Sequence, residues 1–124
     1  MNAARVWLAL GALYGFLGVA LGAFGAHALR GRFAEDLQAV YRTAVEYQFW
    51  HALALLAVGL LALQRPELPL KFAGLAFAAG VLLFSGSLYA LALSGVRAFG
   101  AVTPVGGVLL LLGWLALLRA ALKL

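Results

Sequence analysis

His27 and His51 are the two side chains in this sequence that could serve as a neutral-pH base or as a nitrogen ligand to a metal. With them go a few hydroxyl and amide groups: Tyr47, Gln48, Ser85, Ser87, Tyr89 and Thr103. Three chemistries are open to such a set. Two imidazoles on different helices are the minimum for axial haem ligation or a metal site. A serine beside a histidine starts a nucleophile–base pair, which also needs an acid to orient the base. Polar groups with neither feature can line a pocket for a headgroup, a proton or a small ligand, or can simply bond helix to helix. The first two chemistries are poorly supplied. There is no cysteine, no further histidine, and no carboxylate on the face that His51 shares with Tyr47 and Gln48. Glu35, Asp36 and Glu46 belong to a polar segment away from the apolar runs. No catalytic residue, metal or cofactor is therefore expected, and the eight polar residues stand as a candidate cluster that is either structural or ligand-binding.

The elements that must position these groups are membrane helices. The chain is 66% hydrophobic and 10% charged, against about 25% charged residues in soluble domains. A chain of 124 residues has too little interior to hide that much apolar surface from water. Four apolar runs, at about 6–29, 47–63, 72–93 and 103–122, are each close to the roughly 20 residues that cross a bilayer. The expected fold is one domain, an all-α bundle of four transmembrane helices. Residues 32–46 read differently. Phe33, Leu37, Val40, Tyr41 and Ala44 share one helical face, and Arg32, Glu35, Asp36, Gln38, Arg42 and Glu46 the other. That pattern predicts an amphipathic interfacial helix between spans one and two, with Glu46 able to pair with Arg42 one turn away. Pro66 and Pro69 end the second span, and Pro104 suits the first turn of the fourth. The run from Val6 to Phe24, followed by Ala26-His27-Ala28, imitates a secretory signal. It exceeds the usual apolar core of about 7–15 residues, so a retained first helix is expected.

Threading the four spans back and forth puts the candidate polar residues in one half of the membrane, opposite both termini. The first span carries a second feature. Gly11, Gly15, Gly18, Gly22 and Gly25 recur at spacings of 4, 3, 4 and 3, which places all five on one stripe. Small residues in register let a neighbouring helix come close, a main source of helix association in lipid. The net charge is +5, with nine Lys and Arg against four Asp and Glu. The basic residues are scattered singly, so they fit headgroup anchoring rather than nucleic acid. Arg5, Arg65, Lys71, Arg119 and Lys123 lie on the side of the termini, and Arg30, Arg32, Arg42 and Arg97 on the other. Five against four places the N- and C-termini in the cytoplasm, in a multi-pass cell-membrane protein. The expected partners are the lipid bilayer and a second copy or a larger membrane complex.

Four motifs in order carry a family likeness: Gly22-Ala23-Phe24-Gly25-Ala26-His27-Ala28-Leu29, Tyr47-Gln48-Phe49-Trp50-His51-Ala52-Leu53, Phe84-Ser85-Gly86-Ser87-Leu88-Tyr89, and Thr103-Pro104-Val105-Gly106-Gly107 with Gly113-Trp114. Together they resemble the small four-helix membrane proteins of domain-of-unknown-function family 423. The likeness covers nearly the whole chain and implies four spans. It draws attention to His27, Gln48, His51, Ser85, Ser87, Tyr89, Thr103 and Pro104, and it carries no settled activity with it. Two functions follow as expectations: a structural or accessory membrane protein acting through helix packing, or a module that binds or transports a small lipid-like, quinone-like or ionic ligand at the polar cluster.

Overall fold

The computed structural model describes residues 2–27, 29, 31 and 33–124. Four α-helices follow one another: α1 (Ala3–His27), α2 (Glu35–Gln64), α3 (Lys71–Ser94) and α4 (Thr103–Ala121), with a short 3₁₀ turn over Arg97–Ala101. All four are long and apolar enough to cross a membrane, and no strand occurs among the described residues. Ala28, Arg30 and Arg32, which enter the sequence reading of the first span and of the polar segment, lie outside the described residues.

The ends of the helices follow from local chemistry. After Gln64 the chain meets Pro66 and Pro69, which cannot donate to a helical ladder. α3 closes at Gly95, whose left-handed backbone (φ 74°) turns its N–H back to the Leu91 carbonyl at 2.7 Å. Pro104 sits in the first turn of α4, where a missing N–H costs nothing.

One expectation is corrected here. The polar segment does not form a separate amphipathic helix, because α2 runs unbroken from Glu35 to Gln64 as one helix of 30 residues. The reason is visible in the residues. No proline or glycine falls between Glu35 and Val58, so nothing interrupts the backbone ladder where composition changes from polar to apolar. The pairing of Arg42 with Glu46 does not form either. Among the described residues the side-chain ion pairs are Arg97–Asp36 at 2.6 Å and Arg65–Glu67 at 2.8 Å. The first ties the turn before α4 to the start of α2. In the second, the hydrogen bond from Arg65 holds the Glu67 carboxyl below the usual carboxylate range.

Consecutive helices pack against each other, and α1 also touches α3. The buried centre is built from Phe77, Leu55 and Val58 with many alanines, including Ala44, Ala52 and Ala73. Glycines set the spacing. Along α1, a methyl group at Gly11 would lie 2.9 Å from Leu56, one at Gly18 3.1 Å from Phe49, and one at Gly22 3.3 Å from Val45, while one at Gly25 would run into the Tyr41 ring. Rising α1 numbers meet falling α2 numbers, as in an antiparallel pair. Gly15 stands at the edge of the stripe and would meet nothing within 4 Å. At the α3–α4 seam the approach is closer: a methyl at Gly106 would strike the backbone of Leu83 and Phe84.

Candidate functional site: internal latches and a lateral groove

The polar residues fall into separate groups. The largest is a loop of hydrogen bonds around three helices. Tyr89 on α3 donates to Gln48 Oε1 on α2 at 2.6 Å. Gln48 Nε2 donates to the Tyr14 carbonyl on α1 at 2.9 Å. The Tyr14 hydroxyl then donates back to the Ala78 carbonyl on α3 at 2.8 Å. Gln48 is 4% exposed, a depth at which an unpaired amide would be costly, and both ends of its amide are engaged. The Tyr41 hydroxyl adds a bond from α2 to the Leu21 carbonyl of α1. Ser85 donates to the Ala44 carbonyl at 2.8 Å, joining α3 to α2. Ser87 lies 3.0 Å from the Phe84 carbonyl and shares a 2.6 Å bond with Thr103, joining α3 to α4.

His51 belongs to another group. Its Nδ1 lies 2.6 Å from the Tyr47 carbonyl, one turn back on α2. The Trp114 indole donates to its Nε2 at 2.9 Å. An indole N–H can only donate, so Nε2 must accept and the proton sits on Nδ1. This tautomer follows from the hydrogen-bond network. The ring is thereby neutral with both nitrogens occupied. No lone pair is left for a metal or a haem iron, and neither serine is bonded to it, so no Ser–His pair is assembled.

His27 is not part of either group. It ends α1 and is exposed. Gly18 lies beside Phe49, which puts His51 level with about residue 16 of α1. His27 is eleven residues further along, roughly 16 Å at 1.5 Å per residue. The two histidines therefore cannot share a ligand. Among the described residues no group of three metal-binding side chains comes together.

Two participants escaped the sequence reading. Tyr14 falls inside an apolar run, and Trp114 inside the Gly113-Trp114 motif. A tyrosine or tryptophan carries a polar tip that seeks a partner wherever its body is buried, and that was the available signal. The reverse case is Trp7, whose buried indole nitrogen has no partner among the described residues.

Beside the His51–Trp114 bond, a groove of about 670 Å³ opens between α2 and α4. Tyr47, Trp50 and His51 form its α2 wall, Phe84 its floor, and α4 supplies Pro104, Gly107, Val108, Leu111 and Trp114. Aromatic rings dominate it: Tyr47 is 4.5 Å from Phe84 and 5.0 Å from Trp50, and Trp114 meets Phe77 edge-on at 5.1 Å. No charged side chain lines it.

The profile of the family described as "Protein of unknown function (DUF423)" matches residues 21–107. Among curated relatives, a UPF0382 membrane protein of Staphylococcus epidermidis is 44% identical over 119 residues, 96% of this chain and 97% of that protein. The UPF0382 membrane protein YwdK of Bacillus subtilis is 41% identical over 120 residues, covering 96% of this chain and 98% of the relative. The UPF0382 inner membrane protein YgdD of Escherichia coli is 42% identical over 120 residues, covering 97% and 92%. No solved structure matches the chain. Four spanning helices, the residue motifs and relatives of matching length agree: the chain is a membrane protein and belongs to the DUF423 family.

Proposed function

We propose that this protein is a small accessory membrane protein, a stiff four-helix unit that acts by packing against a second copy or a larger membrane complex. The observation that carries this reading is Gly15. It lies on the α1 stripe, yet a side chain there would meet nothing within 4 Å. Around it, Gly11, Ala12, Phe16, Phe49 and Leu53 line a shallow apolar trough of about 440 Å³ on the outer face of α1 and α2. A trough floored by glycine and alanine admits another helix at close range, where dispersion contacts and not water drive association. The polar residues support the same reading, because the interhelical bonds of Tyr14, Gln48, Ser85 and Tyr89 spend their polarity inside the bundle. The small excess of basic residues on the terminal side favours cytoplasmic termini.

The chain contains no cysteine, so a single Gly15→Cys substitution gives an unambiguous reporter. Oxidative cross-linking in native membranes is expected to trap a dimer or a heavier adduct at Cys-substituted position 15. Native mass spectrometry of the unmodified protein, extracted in mild detergent, is expected to show a matching assembly. A strict monomer in both measurements refutes the accessory role.

A further inference from the structure

The groove between α2 and α4 lies on the other side of α2 from the Gly15 trough, and it has properties the accessory reading does not use. Its depth comes first. Ser85 bonds the Ala44 carbonyl, and Ser87 bonds Thr103, so α3 relates the levels of α2 and α4. At 1.5 Å per residue, Tyr47 lies about 8 Å and Trp50 about 12 Å below the start of α4. The 19 residues of α4 measure about 28 Å, close to the hydrocarbon thickness of about 30 Å. With the turn before it, this span reaches back to Arg97, so Thr103 stands at or inside the edge of the hydrocarbon and the groove descends further in.

Its hydrogen-bonding state comes second. Tyr14, Gln48, Ser85, Ser87 and Tyr89 all have partners at comparable depth. Among the described residues, the Tyr47 hydroxyl and the Trp50 indole N–H have no acceptor, and both residues line the groove. His51 offers nothing further, since Tyr47 and Trp114 occupy both its nitrogens. A guest is thus met by donors, by flat aromatic faces and by aliphatic walls, with no charge to balance. That excludes a charged headgroup. It also disfavours the ester carbonyls of a phospholipid, which stay near the headgroup level above Tyr47. The size falls within the range of about 300–1,000 Å³ usual for small-molecule sites.

We propose that this groove binds a membrane-soluble quinone-type molecule: an uncharged planar ring bearing carbonyl oxygens, on an apolar tail. The carbonyls accept from Tyr47 and Trp50, the ring lies against the aromatic floor at Phe84, and the tail leaves past Val108 and Leu111 into the bilayer. Entry is sideways from the lipid, so the ligand never crosses water. The proposal concerns binding alone and involves no electron transfer.

Tryptophan emission tests it directly, because Trp50 and Trp114 line the groove and ring carbonyls quench indole. The purified full chain in phosphatidylcholine nanodiscs is titrated with a decyl-substituted benzoquinone, with decylbenzene as the tail-only control. Saturable quenching by the quinone alone is expected. Tyr47→Phe, which removes one neutral hydrogen bond, is expected to weaken binding about fivefold. Val108→Phe fills the groove from a position that is 54% exposed, and is expected to abolish the saturable component at unchanged melting temperature. Leu82→Phe, on the lipid face of α3 at 63% exposure, should leave binding unchanged. Quenching that rises linearly with quinone, or that Val108→Phe leaves intact, overturns the site. Saturation with equal affinity in Tyr47→Phe overturns the carbonyl recognition. Neither result touches the Gly15 cross-linking experiment, so the two proposals fail separately.

Discussion

The two outer seams of the bundle are both built on glycine, yet they tolerate change differently. At the α1–α2 seam, the atoms nearest to an added methyl are side-chain ones, of Leu56, Phe49, Val45 and Tyr41, and the backbone comes in only at 3.0 Å, through the Ala52 carbonyl at Gly11 and the Leu8 nitrogen at Gly59. At the α3–α4 seam, a methyl at Gly106 would strike the backbone of Leu83 and Phe84, while one at Gly80 would lie 2.7 Å from Leu110 and one at Gly113 2.8 Å from Phe77. A side chain can rotate away by a few tenths of an ångström, whereas a helix backbone moves only if the helix moves. The difference teaches that a long glycine stripe marks an adjustable contact here, and a shorter one the fixed point.

Gly106→Ala is the sharpest way to break that comparison. The added methyl forces α4 away from α3, and a loss of about 3 kcal/mol is expected, at the upper end of overpacking costs. Unfolding followed by circular dichroism in a detergent titration measures it, and an unchanged midpoint would show that the α3–α4 seam yields as easily as the other. Gly25→Ala should cost less, about 2 kcal/mol. The Tyr41 ring must shift, and its hydroxyl is tethered to the Leu21 carbonyl. Gln48→Leu keeps the size of the side chain while opening the hydrogen-bond loop. It leaves the Tyr89 hydroxyl and the Tyr14 carbonyl without their partner, for an expected loss of about 1 kcal/mol, in the range seen for polar contacts between membrane helices. Gly15→Ala should fall within about 0.5 kcal/mol of the parent, because the new methyl enters open space. If that variant instead weakens the assembly seen by native mass spectrometry while the monomer melts normally, the trough is the contact face.

The sequence carried the helices themselves plainly. Four apolar runs and the turn residues Pro66, Pro69, Gly95 and Pro104 were enough, because hydropathy and backbone stiffness act locally. It carried the partners of the polar side chains poorly. Tyr14, Tyr41, Gln48 and Ser85 bond to the carbonyls of Ala78, Leu21, Tyr14 and Ala44, and a backbone acceptor leaves no mark in residue type. Topology grouped His27 with His51 because both stand toward the same end of the spans. Continuity of α2 defeats that grouping: the helix begins about three turns earlier than an isolated second span, so His51 is near its middle. The same continuity turned a supposed interfacial helix into the head of a membrane helix. Gly106 was hidden for another reason. A stripe of five glycines draws the eye to α1, whereas the closeness of two backbones depends on a pair of positions on different helices.

The extra length of α2 has a consequence for the membrane surface. α2 measures about 45 Å along its 30 residues, and α4 about 28 Å along its 19. A bilayer responds to the apolar stretch of a helix and not to its whole length. The first three turns of α2 carry Glu35, Asp36, Gln38, Arg42 and Glu46, and the apolar run that follows them, at about 47–63, is close to α4 in length, so the lipid needs no step in thickness between the two. Asp36 is clasped by Arg97 just before α4, which pins the polar head of α2 to the neighbouring turn. The head is in that sense a short post, held upright among the headgroups by one ion pair.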